Sequence, residues 1–342
     1  MHGVERVWEA LRGARRLLVS THLNPDGDAI SSELALDWIL RSSGAEISIV
    51  NQSPYPDPYR FLPGIERIHL YNGDSYAPFP VLVALDCGRK NRLGDFVGRI
   101  ECGTVVNIDH HISNDQFGDV NWIDPKASST GELLLELADH AGVPIGPELA
   151  TCLYTGILTD TGNFTFANTS PRCHRHASRL IECGADPAEI SRYLYRSRSV
   201  GKLRLQARLI TELHVDEEAS LAWATLTREM CDDAGVSITD ALDLVTIPLS
   251  VDGVDLGILF REFDEPGKTK VSFRSEGDPD VSILARELGG GGHPSAAGCT
   301  LEMETDDAVA AVVPWVYDRL GRRSRKPTLA MLRMRHPKGL EA

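Results

Sequence analysis

No uncharged apolar run of about 18 residues occurs in the chain, so no segment is expected to span a membrane. The continuous apolar core of a signal peptide is missing as well: MHGVERVWEALRGARR carries charges throughout and reads as an amphipathic helix, which points to a cytoplasmic protein. Cysteine pairs of the C-x-x-C type are absent. The seven cysteines (Cys87, Cys102, Cys152, Cys173, Cys183, Cys231 and Cys299) are odd in number and scattered, the pattern of reduced, mostly buried thiols. Cys87 follows an aspartate, yet packing at a strand end explains it better than nucleophilic chemistry. An excess of basic residues is also lacking. Lys and Arg number 35 against 49 Asp and Glu, a formal charge of −14; this argues against a grip on long duplex nucleic acid, which needs a basic face, but leaves a short anionic substrate open. There is no internal repeat. With 42% apolar and 25% charged residues the composition is that of a globular protein, and 342 residues suffice for two ordinary domains.

What is present is a set of acidic strand ends. TVVNI runs into Asp109-His110-His111, RRLLVS into His22-Leu23-Asn24-Pro25-Asp26-Gly27-Asp28, and FPVLVAL into Asp86-Cys87-Gly88. Ligand sites in open α/β sheets form beyond the carboxyl ends of strands, so one rim is expected to receive these carboxylates and imidazoles. Clustered carboxylates repel and take up protons unless a cation compensates them. A pair of divalent ions is the simplest compensation, and bound cations would invert the local field of this acidic chain. Oxygen and imidazole donors without thiolate suit Mn, Mg or a similar ion rather than structural zinc. Two such ions about 3.5–4 Å apart make a site for hydrolysing phosphate esters.

The first half alternates strand-like and helix-like stretches: LLVSTH, SSELALDWILRSSG, AEISIVNQ, PVLVALD, TVVNID and STGELLLELADHAG. That alternation predicts an α/β fold, a mostly parallel sheet with helices on both faces. The Pro- and Tyr-rich stretch 53–65 reads as loop and turns. PELATCLYTGIL suits a buried helix leading to Asp160, and SPRCHRHASRLIECG a helix with a Ser-Pro start. A run of Arg, Leu and Ser from Ile190 to Leu213 reads as a connecting helix. The expected organisation is therefore a catalytic domain over 1–192, a helical linker over 193–213, a smaller α/β substrate-binding domain over 214–326 and a basic tail over 327–342. Within the second domain LAWATLT is strand-like and TREMCDDAG helical. GVDLGILFREF and KTKVSFRS read as strands joined at Asp264-Glu265-Pro266-Gly267, and SILAREL as a short helix before a glycine-rich loop at 289–292. A last helix over DDAVAAVVPWVYDRL should be kinked by Pro314.

HLNPDGD, ALDCG, IDHH and LTDTGNF occur in this order, followed by GGGGHPSAAG. Together they resemble the DHH family of phosphoesterases, in the two-domain form that includes RecJ-like nucleases, and most of all its nanoRNase/pAp-phosphatase (NrnA-like) branch. The resemblance covers the chain from about Arg16 to about Thr300. It implies one ion on His22, Asp26 and Asp86, and a second on Asp28, Asp86, His110 and Asp160, with Mn preferred and Mg or Co as alternatives. It also implies an active site in the cleft between the domains. Physical reasoning runs alongside: an H-x-x-x-D-x-D turn can offer alternate side chains to two ions, with Gly27 allowing a tight backbone, and a shared carboxylate fixes their separation. Asp109 precedes a ligating histidine and is read as its orienter. His111 would face substrate, stabilising phosphate charge or helping the leaving group.

Taken singly, each residue has an ordinary explanation. His22 or His111 could be a hydrogen-bonded histidine, and Asp28 or Asp160 a helix cap. Coincidence of the whole set in order defeats that explanation. Ser129-Thr130-Gly131-Glu132 matches a capping box. Ser31-Ser32 stands where the family usually has Gly-Ser, so the helix there would sit slightly farther from the metals. Asn114 and Asn163 lie near the motifs without a decisive role. By the resemblance Gly291, Gly292 and His293 bind substrate through exposed amides, and Arg274 is the phosphate-binding arginine, the alternative being a surface strand charge.

The function the resemblance implies is a metal-dependent phosphoesterase that cleaves short oligoribonucleotides and linear diadenylate (pApA) to nucleoside monophosphates, or the bisphosphorylated adenosine pAp to AMP. A cyclic di-AMP phosphodiesterase is the nearest alternative, ahead of a RecJ-like single-strand exonuclease or a non-catalytic nucleotide sensor. The partners expected are short RNA or small nucleotides, without long duplex nucleic acid or membrane; a homodimer is compatible with the sequence.

Overall fold

The computed structural model describes residues 3–41, 44–196, 199–238, 241–263 and 265–322. The chain divides into two compact units, Met1–Ser197 and Arg198–Ala342. The basic tail expected over 327–342 lies outside the described residues. Among the described residues no helix is long and apolar enough to cross a membrane.

The first unit carries α1 (Gly3–Leu11), β1 (Arg16–Ser20), α2 (Gly27–Leu40), β2 (Glu46–Asn51), β3 (Ile68–Leu70), β4 (Phe79–Leu85), β5 (Cys102–Asp109), β6 (Val120–Ile123), α3 (Thr130–Ala141), α4 (Pro147–Asp160), α5 (Pro171–Glu182) and α6 (Pro187–Ser191). Its six strands form one sheet in the order β3-β2-β1-β4-β5-β6, parallel at every pairing. Both faces are buried, so the central strands read as unbroken apolar runs. Leu17, Val19, Val83 and Leu85 face the core made with α1 to α5, while Leu18, Leu82 and Ala84 face a second core with Leu93, Phe96 and Val97. The α-helices thus gather on one face. On the other lie 3-10 turns at Lys90–Leu93 and Asp95–Arg99.

Caps set the helix starts that matter below. Asp26 Oδ1 accepts from Ala29 N at 3.1 Å to begin α2, Ser129 Oγ from Glu132 N at 3.1 Å to begin α3, and Ser170 Oγ from Cys173 N at 3.1 Å to begin α5. Helix α2 is buried along nearly its whole length, Asp28, Glu33 and Asp37 included, as expected of a helix enclosed on all sides. Asp37 is compensated by Arg41 at 3.2 Å and Arg67 at 2.7 Å.

The second unit carries α7 (Val200–Thr211), β7 (His214–Asp216), β8 (Leu221–Leu226), α8 (Arg228–Ala234), β9 (Leu256–Glu262), β10 (Thr269–Ser275), α9 (Val281–Glu287), β11 (Gly291–His293), β12 (Ala296–Leu301) and α10 (Thr305–Arg319). The sheet order is β11-β12-β10-β9-β8-β7, with β8 and β9 parallel and the other pairs antiparallel. Ile258 and Phe260 pack with α9 and α10, while Leu259 packs with Leu205 and Leu209 of α7 and Met230 of α8. Helix α10 runs through Pro314 without ending there.

The glycine run corrects one expectation. It does not stay a loop: Gly291–His293 pair as strand β11 with β12, and a Cβ on Gly290 would lie 2.2 Å from Gly298 O. At Gly290 and Gly292 two backbones approach too closely for a side chain, whereas a Cβ at Gly289 or Gly291 would meet nothing. Gly27 differs in the same way. It opens α2 against α4, where a Cβ would come within 2.6 Å of the Thr159 side chain. Thr159 Oγ1 is already committed to Thr155 O at 2.9 Å, so Gly27→Ala is expected to overpack this contact and cost about 1–3 kcal/mol. Thermal unfolding of that variant checks the magnitude.

Candidate metal centre

The order of the first sheet reverses at β1 and β4, where successive connections leave in opposite directions. The crevice beyond such a switch point is where open α/β sheets place ligands. His22, Asp26 and Asp28 follow β1, Asp86 follows β4, and Asp109 ends β5 with His110 and His111 beyond it. Asp160 arrives from another direction as the last residue of α4. Asp86 holds a left-handed backbone at φ 52°, uncommon for a residue with a side chain. Its N–H donates to Ile108 O at 3.0 Å, fixing the turn that aims the carboxylate.

Around Asp86 the donors converge. His22 Nε2 stands 3.7 Å from Asp86 Oδ2 and 3.9 Å from Asp26 Oδ2. On the other side His110 Nε2 stands 3.6 Å from Asp86 Oδ1 and 3.2 Å from Asp160 Oδ2. Among the described residues three groups, each with ligand atoms within 4.8 Å of one another, could hold a metal ion: His22-Asp26-Asp86, Asp28-His110-Asp160, and Asp86-Asp109-His110-His111. His22 Nδ1 lies 2.9 Å from Leu23 O, and His110 Nδ1 lies 3.4 Å from Ala127 O. A carbonyl only accepts, so a proton on Nδ1 serves that contact in each ring and Nε2 is the nitrogen that faces the carboxylates and, on losing its own proton, a cation. That tautomer suits a cation between them. No thiol competes: Cys87 Sγ donates to Arg89 O at 3.2 Å, and burial pushes its pKa up to about 12.

Titration in this cluster is frustrated. Burial and the Asp86 charge push Asp28 up to about 7, and burial with the charges of Asp28 and Asp86 raises Asp160 well above the usual carboxylate range. Burial would lower His22, but the hydrogen bond to Asp86 and the charges of Asp26 and Asp86 outweigh it and push the imidazole up to about 9. Burial would raise Asp86, yet the hydrogen bond with His22 and the charges of His111 and His110 hold it well below its ordinary value. The donor set of oxygen and imidazole fits hard or borderline divalent ions.

Asp28 is fixed from outside its own loop. Its Oδ2 accepts from Thr130 N at 2.6 Å and its Oδ1 from Gly131 N at 2.9 Å, the first amides of α3, where the helix dipole favours an anion. A Cβ on Gly156 would come within 2.6 Å of Asp28 Oδ1, so α4 passes close only because that residue is glycine. Ser31 Oγ donates to Gly27 O at 2.6 Å and Ser32 Oγ to Asp28 Oδ1 at 3.3 Å. The serine pair therefore adds a donor to the carboxylate.

Asp109 is turned toward its own neighbours. Its Oδ1 accepts from His111 Nδ1 at 2.6 Å and His110 N at 2.8 Å, and its Oδ2 from Asn114 Nδ2 at 2.5 Å. Asn114 Nδ2 also reaches Asn107 Oδ1 at 2.9 Å, while Asn107 Nδ2 donates to Cys87 O at 3.1 Å. Burial would lower His111, but Asp109 and Asp86 push it up to about 9. Sequence reasoning passed over Asn107; a single amide inside the apolar run TVVNI was the available signal.

The remaining expected residues lie together in the second unit. Arg274 of β10 pairs with Ala296 of β12, which pairs with His293 of β11, so positions 274, 296 and 293 stand in line across three strands. Gly291 and Gly292 pair with Gly298 and Ala297. Arg274 is half-buried, burial lowers its pKa, and its Nη1 donates to Phe273 O at 2.9 Å.

Comparison with known proteins bears on this arrangement. The family model "DHH family, N-terminal domain" matches residues 16–157, and the "DHHA1 domain" model matches residues 229–318. The bifunctional oligoribonuclease and PAP phosphatase NrnA of Thermus thermophilus is 36% identical over 329 residues, covering 93% of this chain and 96% of that protein. The chain belongs to the DHH family. The Bacillus subtilis protein of the same name is 28% identical, covering 83% of this chain and 89% of its own. Among solved structures, an exopolyphosphatase-related protein from Bacteroides fragilis aligns with a TM-score of 0.84 at 29% identity, covering 93% of this chain and 97% of the other.

The His22 geometry predicts how cation binding by this DHH chain depends on pH. Below about 9 an ion entering beside His22 must displace a proton, so raising the pH from 6 to 8 should tighten Mn binding roughly tenfold per unit for each proton displaced. Calorimetric titration at several pH values measures this. An affinity that does not change with pH would show that no proton leaves His22 as the ion enters.

Proposed function

We propose that this protein is a metal-dependent phosphoesterase hydrolysing short oligoribonucleotides to nucleoside monophosphates and pAp to AMP, with a two-ion centre shared through Asp86. The observation that carries the reading is the placement of the two Asp86 oxygens, Oδ2 beside His22 and Oδ1 beside His110. Similarity over nearly the full length to a bifunctional oligoribonuclease and PAP phosphatase supports the substrate class. His22, Asp26 and Asp86 would hold one ion, and Asp28, Asp86, His110 and Asp160 the other. When bound, such a pair supplies Lewis acidity at the phosphoryl oxygens and an activated water. The mixed donor set of carboxylate oxygen and imidazole nitrogen suits Mn, with Mg or Co fitting the same donors.

The chain's own groups do the rest. Asp109 holds His111 through Nδ1, so the second nitrogen, Nε2, is the one to deliver a proton toward the leaving oxygen or to stabilise charge on phosphate. The Asp109 charge favours a proton on that ring. In the second unit, read as the substrate-binding domain over 214–326, Arg274 would clamp a phosphate and Gly291, Gly292 and His293 would contact the nucleotide, consistent with their alignment across one sheet. Free cysteines throughout support a reducing, cytoplasmic setting.

The deciding experiment is a product time course with Mn on pAp, linear diadenylate, cyclic diadenylate and RNAs of increasing length. Turnover is expected for pAp and for the shortest RNAs, falling with length; preference for cyclic diadenylate would replace this reading by the cyclic di-AMP alternative, and no turnover at all would leave a nucleotide sensor. Asp86→Ala should abolish both shells and lower kcat roughly a thousandfold or more. His111→Ala should slow the chemical step by about 10²–10⁴-fold with metal content retained. Arg274→Ala should raise KM across nucleotides, and an unaltered KM would remove it from the phosphate site.

A further inference from the structure

We propose that Thr130 is a positioning residue that locks the rotation of the Asp86 carboxylate and thereby sets the separation at which the centre holds its two cations. The inference rests on the two-ion reading above and assigns a role to a side chain outside both shells. Thr130 is fully buried. Its hydroxyl donates to Asp86 Oδ1 at 3.1 Å, while its amide donates to Asp28 Oδ2 at 2.6 Å. One residue thus ties the carboxylate that follows β4 to the carboxylate that follows β1.

The hydroxyl is closer to Asp86 than any of the imidazole nitrogens facing that carboxylate, which stand at 3.5, 3.6 and 3.7 Å. A carboxylate meant to point one oxygen at each of two ions loses that geometry if it turns about its Cβ–Cγ bond. A hydroxyl bonded to Oδ1 opposes the turn and leaves Oδ2 directed at His22. Helix formation does not require this hydroxyl, because Ser129 already caps α3.

The segment that presents Thr130 is itself braced. Glu132 Oε2 accepts from Ser128 N at 2.6 Å and Ser128 Oγ at 2.9 Å, and its Oε1 pairs with Arg172 Nε and His176 Nδ1, each at 3.0 Å. From the other side Asn168 Nδ2 donates to Ser128 O and to Asp160 O, both at 3.0 Å, so the start of α3 and the end of α4 share one support. Such bracing is what a side chain needs if it is to impose geometry on a neighbour.

The test compares wild type with Thr130→Val, which keeps shape and amide but removes the hydroxyl, with Thr130→Ser, which keeps the hydroxyl, and with Thr130→Ala. Mn affinity by calorimetry, the spin-coupled electron paramagnetic resonance signal of paired Mn, the metal-free melting temperature and the KM and kcat for pAp are measured. A hydrogen bond to a charged group makes a loss of about tenfold or more in Mn affinity the expectation for Thr130→Val, with a weakened coupling signal, lower kcat and unchanged KM. Its metal-free melting temperature should fall by only a few degrees, the loss of one buried hydrogen bond. Thr130→Ser should restore affinity and coupling, and Thr130→Ala should lose at least as much as Thr130→Val. Wild-type affinity and coupling in Thr130→Val, or in Thr130→Ala should the valine protein not fold, overturn the inference alone. So does a Thr130→Ser protein as defective as Thr130→Val, since packing of the methyl group would then be the cause. Failure of the wild-type protein to bind Mn would instead overturn the two-ion reading and this inference with it.

Discussion

Three carboxylates, Asp28, Asp86 and Asp109, are sunk almost entirely below the surface at one end of a parallel sheet, and a fold can carry such a concentration of like charge only if every oxygen is answered. The answers differ in kind. Asp109 is satisfied by hydrogen-bond donors of its own neighbourhood, His111 and Asn114. Asp28 leans on the first amides of a helix. Asp86 lies between imidazoles on opposite sides, whose charge holds its carboxyl below the ordinary range, with one hydroxyl as its nearest donor. What stays unbalanced is Asp28, raised in spite of those amides, together with the neighbouring Asp160, and that excess of negative charge is what a cation would answer.

Much of the remaining architecture accommodates that cluster. Glycines at 27 and 156 let α2 and α4 approach so closely that Asp28 is roofed by backbone. The apolar alternation of β1 and β4 supplies a rigid floor with a core on each side, so the loops above it can carry strain such as the left-handed turn at Asp86. Sites are held more accurately on such elements than on free loops.

The sequence showed the parallel sheet and the acidic strand ends because both depend on local signals: unbroken apolar runs, and charged residues directly after them. It did not show Thr130, Gly131 and Gly156 as parts of the centre. Their contacts reach across about a hundred positions to Asp28, and within STGE the same residues fully satisfied a helix-start pattern. Ser129 does cap that helix, but Glu132 turns to Ser128 and Arg172, so the familiar motif concealed a longer-range use. Short edge strands such as β7 and β11 were equally hard to see, since three residues leave no periodicity to detect. The run GGGGH carried the composition of a loop although close backbone contact makes it a strand.

Asp26 illustrates how little latitude evolution has at such a position. One of its oxygens begins α2 through Ala29 N, and the other turns toward His22. Asparagine would preserve the first duty and forfeit the negative charge, whereas glutamate would preserve the charge on an arm too long for the cap. Neither replacement keeps both contacts, so folding and chemistry constrain this one side chain at once.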